Sequence, residues 1–140
     1  MTKYKNPAAT ATVIVEKEGK ILLVRRKHAP YRGMLALPGG FLNYGRETLE
    51  RTAQRELEEE TGLRVKQRNL YLLAVNSSPR RDPRGQVIDH VYIAQGDYEG
   101  EAIADDDAER LEWRALAEIP GRLAFDHSND IERYKSWRKE

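Results

Sequence analysis

The apolar and β-branched residues near the start of this chain fall into short runs that predict strands. Residues 10–15 and 21–24 form two such runs on either side of the polar turn 17–20, which predicts a β-hairpin. The segment that follows is rich in Gly, Pro and aromatic residues and has no sustained period. We therefore expect a loop there, with one short strand at residues 34–37.

Two further apolar runs follow in the second half of the chain. Residues 69–76 and 87–94 have strand character, and they flank a turn-rich loop at residues 77–85. That loop is long for a plain hairpin connection, and long loops in compact domains are often functional. We therefore regard residues 77–85 as a candidate for function.

Two segments have helical rather than strand character. Residues 49–61 contain no Gly or Pro and many strong helix formers, with Thr48 in the place of an N-cap and Gly62 where a left-handed C-terminal residue is expected. Residues 126–139 have helical composition and apolar residues at helical spacing. The mixed order of strands and helices predicts an α/β or α+β fold, and we expect residues 1–140 to form a single domain.

The amino-acid composition limits which metal ligands and nucleophiles the protein can use, and it gives little information about binding partners. The 24 Lys and Arg residues nearly balance the 23 Asp and Glu residues, so a net charge of +1 gives no reason to expect binding to nucleic acid or membrane. The chain has no cysteine, which excludes disulfides, thiolate metal sites and a cysteine nucleophile. Any metal must then be held by carboxylate, carbonyl or imidazole ligands, which makes hard cations such as Mg²⁺ the natural candidates. The short polar start, residues 1–7, is unlike a signal peptide, so we expect a cytoplasmic protein.

The first predicted helix carries a group of acids that indicates a metal site. Glu56, Glu59 and Glu60 are related by i, i+3 and i+4, so their carboxylates project from one face within reach of a common ion. An acidic helix face is ordinarily just solvated. Here the apolar stripe through Ala53 and Leu57 adjoins the acids, so they border the core, where a carboxylate needs a metal or a cationic hydrogen bond.

These residues belong to a longer motif with a family resemblance. Glu47, seven residues, and then the run from Arg55 to Leu63 match E-x7-R-E-U-x-E-E-x-G-U, with U apolar, and Gly39-Gly40 stands before it. Chance would give such a match on the order of 10⁻⁸ times per starting position. The motif resembles the Nudix box. It departs from the family pattern in one respect, because six residues rather than five separate Gly40 from Glu47.

The resemblance implies a fold and a reaction. The Nudix fold is a mixed β-sheet sandwiched between α-helices, and its members hydrolyse pyrophosphate linkages with Mg²⁺, for which Mn²⁺ can substitute. By the resemblance, the metal ligands are Glu56, Glu59, Glu60 and the carbonyl near Gly40. Arg55 and Glu47 complete the catalytic set as the groups that hold these acids in place.

Several features outside the box resemble the ADP-ribose pyrophosphatase group, which implies cleavage of ADP-ribose to AMP and ribose 5-phosphate. They are Pro79, sixteen residues beyond Leu63, the acidic turn 105–107 before Trp113, and the segment 123–127. Each also has a plain structural interpretation: Pro79 as a turn residue, Trp113 as core, and His127 as a helix cap or surface residue. The predicted substrate contacts are Arg26, Tyr44, Pro79, Arg80, Arg84 and Phe125, and the arginines of loop 77–85, including Arg81, give it more phosphate-binding capacity than structure needs.

The sequence leaves several alternatives open. The substrate could instead be a nucleoside triphosphate, a sugar nucleotide or a dinucleoside polyphosphate. The chain could also be a non-catalytic Nudix domain that senses a nucleotide, although regulators of that kind carry a DNA-binding domain for which 140 residues leave no room. The general base is assigned to Glu56, with residues 105–107 and Glu109 as the alternative. A small-molecule nucleotide is the expected partner, and a homodimer is left open.

Overall fold

A computed structural model describes residues 5–102 and 108–139, with only the backbone described at 108–109. The chain forms eight strands and two α-helices within that part. They are, in chain order, β1 (Ala8–Ile14), β2 (Glu16–Lys17), β3 (Lys20–Arg26), β4 (Leu35–Ala36), β5 (Gly39–Phe41), α1 (Leu49–Thr61), β6 (Leu70–Asn76), β7 (Val87–Ala94), β8 (Ala108–Ala115) and α2 (His127–Arg138).

The strands build two sheets. The first has the order β5-β1-β7-β6, in which β1 and β7 are parallel and the other pairs are antiparallel. In the second, β3 pairs antiparallel with β2, β4 and β8. The predicted hairpin of residues 10–15 and 21–24 is therefore wrong in its pairing. Only the two-residue β2 turns back onto β3, whereas β1 runs into the other sheet, where β7 and β5 bury both of its edges.

The two faces of β1 belong to two different cores. Ala11 and Val13 pack with Ala53 and Leu57 of α1, whereas Ile14 packs with residues of α2. Side chains of a strand alternate between faces, so a strand covered on both sides is buried almost throughout. The first sheet is thus sandwiched between the two helices, which confirms the predicted mixed-sheet fold.

Local signals set the ends of α1 as the sequence predicts. The Thr48 side chain accepts a hydrogen bond from the Arg51 amide, and Gly62 ends the helix at φ 82° with its N–H donating to the Glu58 carbonyl. The second helix runs one residue shorter at each end than the predicted 126–139. No helix in the part of the chain that the structure describes is long and apolar enough to cross a membrane.

Candidate active site

The acids of α1 meet the glycine pair of β5. Gly40 lies against Glu56 so closely that a Cβ built on Gly40 would stand 2.3 Å from the Glu56 carboxyl carbon. Only glycine leaves room for this approach. Glu56 is mostly buried, with a side chain 16% exposed, whereas Glu59 is open to solvent. The helix thus presents one carboxylate to the Gly40 backbone and another at the rim.

Arg55 holds this group together. Its guanidinium donates to Glu47 Oε1 at 2.7 Å, to Glu56 Oε1 at 2.7 Å and to Glu59 Oε2 at 3.2 Å, and it also reaches the carbonyl of Phe41 at 2.9 Å. One arginine therefore fixes two acids of the helix and the end of β5. This is the orienting role that the motif implies for Arg55.

The extra residue between Gly40 and Glu47 is absorbed by a turn. The amide of Arg46 donates to the carbonyl of Asn43, and Gly45 takes φ 74°, a value that favours glycine. Glu47 still reaches Arg55, and it also accepts from the Asn43 amide and the Thr52 hydroxyl. These bonds to the Arg55 guanidinium and the amide lower the pKa of Glu47 to about 2.

The acids fit a hard cation. Burial raises the pKa of Glu56, the hydrogen bond and charge of Arg55 act in the opposite direction, and the neighbouring charge of Glu59 adds to the rise. Negative charges this close on one helix repel each other unless a cation lies among them. Carboxylate and carbonyl oxygens are the ligands that Mg²⁺ and Mn²⁺ prefer. The donor set of Glu56, Glu59, Glu60 and the Gly40 carbonyl is therefore suited to a divalent metal.

A cavity of about 330 Å³ opens beside these acids, and its lining carries charges of both signs. Glu56 and Gly40 are part of this lining. The aromatic wall of the cavity is the Phe125 ring, and the guanidinium carbons of Arg26, Arg84 and Arg81 lie 5.0, 5.6 and 5.9 Å from its centroid. Such a site complements a ligand that carries both anionic groups and a flat ring.

Phe125, which forms the aromatic wall, has a backbone conformation that few non-glycine residues adopt. Phe125 has φ 55°, in the left-handed region that costs energy for a bulky side chain. Its ring is contacted edge-on by Tyr31 at 4.9 Å and lies 5.4 Å from the ring of His127. Arg26 is fixed beside it by a hydrogen bond to the Pro30 carbonyl, and burial followed by the nearby Arg84 lowers the pKa of Arg26.

A buried polar cluster forms the back of the cavity. Asp89, His127 and Asp130 each have an atom able to bind a metal within 4.8 Å of the others. The Nδ1 atom of His127 accepts from the Leu37 amide at 3.0 Å, so the neutral ring carries its proton on Nε2. A ring that keeps this bond has no free lone pair for a metal. The cluster is better described as a hydrogen-bonded support, in which Thr10 and Thr12 donate to Asp89.

One prediction for this region is wrong, and one of two interpretations is excluded. His127, for which a helix cap or surface residue was the plain structural interpretation, is buried and lines the cavity, because α2 begins against β4 and not in solvent. Arg81, expected to be available for phosphate, has a side chain only 4% exposed and is bound at both ends of its guanidinium by the Asp126 carboxylate at 2.7 and 2.9 Å. Arg81 thus anchors the loop 77–85 to the start of α2.

The other predicted substrate contacts divide into two groups. Arg26, Arg84 and Phe125 line the cavity. Tyr44 is 95% exposed, and Pro79 and Arg80 are exposed on their loop, so the structure does not bring these three to the cavity. Their roles stay predictions. The alternative bases at 105–107, and the side chain of Glu109, lie outside the described residues.

Sequence reasoning missed the cavity residues that no contiguous motif marks. They include Thr10, Thr12, Phe41, Asn43 and Asp89. A carboxylate at Asp89, within the apolar run of β7, was the available signal, because a buried acid in a strand needs specific partners. Phe41 follows Gly39-Gly40 directly and was within reach of the same reasoning.

Comparisons with known proteins agree with this site. The NUDIX domain family model matches residues 5–136. A protein named ADP-ribose pyrophosphatase from Methanocaldococcus jannaschii is 47% identical over 135 residues, which are 96% of this chain and 77% of that protein. The ADPR responsive transcriptional repressor NtrR of Acinetobacter baylyi is 30% identical over 130 residues, 89% of this chain and 51% of the repressor.

Solved structures give the same result. The crystal structure of a MutT/nudix family protein from Enterococcus faecalis has a TM-score of 0.84 and 32% identity, covering 100% of this chain and 65% of that one. The NUDIX domain of Shewanella oneidensis NrtR, a cocrystal structure with ADP ribose, has a TM-score of 0.82 and 29% identity, covering 96% and 90%. The resemblance drawn from the Glu47–Leu63 motif is thereby confirmed, and the chain belongs to the Nudix hydrolase family.

Proposed function

We propose that this protein hydrolyses ADP-ribose to AMP and ribose 5-phosphate in a divalent-metal-dependent reaction. The observation that carries the proposal is the cavity in which Glu56 and Arg26 line the same space as the aromatic ring of Phe125. A nucleoside diphosphate derivative combines the matching groups, an anionic diphosphate and a flat base. The pyrophosphatase name of the archaeal relative and the ADP ribose of the Shewanella structure support this substrate.

Magnesium is the proposed cofactor, with manganese able to replace it. Glu56, Glu59, Glu60 and the Gly40 carbonyl would hold it. Bound there, the cation would supply the positive charge that neutralises the diphosphate oxygens during cleavage. The Arg55 guanidinium keeps the carboxylates in place, so that they do not have to reorganise when the substrate binds.

Glu56 is the proposed general base. It lines the cavity directly, and burial raises its pKa above the ordinary value of a glutamate, which makes its carboxylate a better proton acceptor. The Glu56 carboxylate would take a proton from the attacking water as the water oxygen bonds to one phosphorus atom and the bridging P–O bond breaks. Arg26, which lines the same cavity beside the Phe125 ring, would bind the departing phosphate.

A substrate panel tests the proposal. We expect kcat/KM for ADP-ribose at a fixed Mg²⁺ concentration to exceed that for NADH, sugar nucleotides, dinucleoside polyphosphates and nucleoside triphosphates, with AMP and ribose 5-phosphate as products. Contacts to similar groups discriminate by only about 1 to 3 kcal/mol, so overlap among diphosphates is expected. A triphosphate that is cleaved at least ten times more efficiently than ADP-ribose contradicts the substrate.

A matched pair of variants tests the metal site in the same assay. Glu60→Gln should lose turnover at saturating Mg²⁺, whereas Glu58→Gln, an exposed neighbour on the same helix, should keep it. A Glu60→Gln variant with nearly wild-type rate contradicts the site.

The second candidate function is nucleotide sensing without catalysis, which the similarity to the Acinetobacter repressor favours. Tight binding of ADP-ribose without any metal-dependent turnover would favour this sensing function over the enzyme.

A single domain, a cytoplasmic location and a homodimer stay predictions. For the dimer, Tyr71, Leu72 and Val75 expose apolar surface on the edge strand β6, and the mass in solution, measured by light scattering, tests it.

A further inference from the structure

Arg84 lies between two aromatic rings of the cavity wall. Its guanidinium carbon is 4.9 Å from the centroid of the Phe41 ring and 5.6 Å from that of the Phe125 ring. The two rings come from distant parts of the chain, the end of β5 and the segment before α2. A guanidinium is flat and delocalised, and it stacks on aromatic faces much as a nucleobase does.

The arginine is tethered in this position by Asp82. Its Nε and one terminal nitrogen donate to the two Asp82 carboxylate oxygens at 3.0 and 2.8 Å, and the Arg84 amide donates to the same carboxylate at 2.9 Å. The Asp82 side chain is 2% exposed, whereas 43% of the Arg84 side chain is exposed. The Asp82 carboxylate is therefore buried, while the arginine that it binds reaches the surface.

The aromatic residues on either side are built as a receptor for a flat group. Phe125 keeps its ring in the cavity at the cost of a left-handed backbone, a strain that marks functional positions more often than structural ones. Phe41 is 40% exposed, although its backbone pairs with Thr10 of β1. The two rings both line the cavity, and Arg84 is the arginine that lies over both of them among the described residues, whereas Arg26 and Arg81 contact only Phe125.

We propose that Arg84 occupies a nucleobase slot, and that the base of a bound nucleotide replaces its guanidinium between Phe41 and Phe125. The inference deepens the proposed function, since it rests on a nucleotide binding in this cavity. Stacking reads the π-face and not the hydrogen-bonding edge, so the slot favours a large base over a small one without strict selection. The Asp82–Arg84 pair then sets how readily the slot opens.

Binding of a product tests the slot apart from catalysis. AMP carries the base but no pyrophosphate linkage, and ribose 5-phosphate carries a phosphate without a base. We expect Arg84→Ala to lower the Kd for AMP by about five- to tenfold in isothermal titration calorimetry with Mg²⁺, because the base no longer displaces one or two guanidinium–ring contacts. The Kd for ribose 5-phosphate should stay unchanged. Arg68→Ala removes the same charge from an exposed site and should change neither Kd.

Two further variants make the test specific to the rings. Arg84→Gln keeps most of the side-chain length without the cation and should also tighten AMP binding, provided circular dichroism shows a folded protein. Phe41→Leu removes one ring, so AMP should bind more weakly, and the gain from Arg84→Ala should disappear in the double variant.

Several outcomes would overturn the slot. If Arg84→Ala binds both AMP and ribose 5-phosphate more weakly than wild type, Arg84 is a phosphate contact and does not occupy a base slot. An unchanged Kd for AMP, or no AMP binding by wild type and variant alike, also contradicts the proposal. The proposed function is tested by a different result. If the gain in AMP binding is observed but ADP-ribose is not hydrolysed, the slot stands and the proposed function fails.

Discussion

The buried carboxyl group of Asp130 leads to a prediction about stability and pH. Its side chain is fully buried; Oδ1 accepts from Asn76 at 2.9 Å and from Arg133 at 3.3 Å, while Oδ2 has no hydrogen-bond partner among the described residues. Burial, together with the nearby carboxylates of Asp126 and Asp89, raises the pKa of Asp130 to about 7, although the Asn76 hydrogen bond and the charge of Arg133 act in the opposite direction. We therefore expect Asp130 to be largely protonated below about pH 7.

The direction and size of the effect follow from linkage. An acid whose pKa is higher in the folded state than its ordinary 3.8 costs no stability below about pH 4, costs increasingly more as the pH rises to about 7, and costs the full amount above that. The complete difference corresponds to roughly 4 kcal/mol, and the part between about pH 5 and pH 8.5 to roughly 3 kcal/mol. Asp130→Asn has no proton to lose, so the variant should gain stability relative to wild type by that amount across this interval.

Urea unfolding of both proteins at about pH 5 and pH 8.5 measures the change. Asp97→Asn, which replaces an exposed acid, is the control, and its difference from wild type should be the same at both pH values. The quantity to compare is the difference in unfolding free energy between Asp130→Asn and wild type at each pH. If the two differences agree within about 0.5 kcal/mol, the assignment of a raised pKa is refuted, since changes of that size are ordinary for surface substitutions. The charged and titratable groups around Asp130 are Arg81, Asp89, Asp126, His127 and Arg133.

Three further predictions concern the active site. Gly40→Ala should lower kcat by on the order of 10²-fold, because its Cβ would displace the Glu56 carboxyl group, and steady-state kinetics measure this. Glu47→Gln should lower the melting temperature at pH 7. The pKa of Glu47, held near 2 by Arg55, means that this loss should shrink as the pH falls from about 4.5 toward 2, which thermal unfolding can follow. Arg26→Ala should raise KM for ADP-ribose about tenfold, as expected for one charge-assisted phosphate contact, and an unchanged KM would contradict that role.

Local signals explain why one part of the molecule could be predicted well. The helix α1 has its N-cap, its C-terminal glycine and its acids within fifteen residues, so the sequence alone defines both the element and the carboxylates it presents. The hairpin failed for the opposite reason. Alternating apolar residues show that β1 is a strand, but its partners β5 and β7 are chosen by packing with segments up to eighty residues away.

Neighbouring arginines of one loop show the same limit at the level of side chains. Arg81 and Arg84 have equal chemistry and nearly equal positions in the sequence. The first is buried because Asp126, forty-five residues later, accepts both ends of its guanidinium, whereas the second pairs with Asp82 within the loop and stays at the surface. Which arginine can meet a ligand therefore depends on a contact that no local pattern encodes.

Three consecutive residues, Phe125 to His127, make several of the contacts that bring distant segments of the chain together around the cavity. The ring of Phe125 forms the aromatic wall, the carboxylate of Asp126 fixes Arg81, and His127 accepts the Leu37 amide two residues before the Gly39-Gly40 pair. A single turn at the start of α2 thus connects the aromatic wall of the cavity, the loop 77–85 and the segment before Gly39-Gly40. Phe125 keeps its left-handed backbone where these side chains are held by different elements, and such surroundings are what maintain a strained residue.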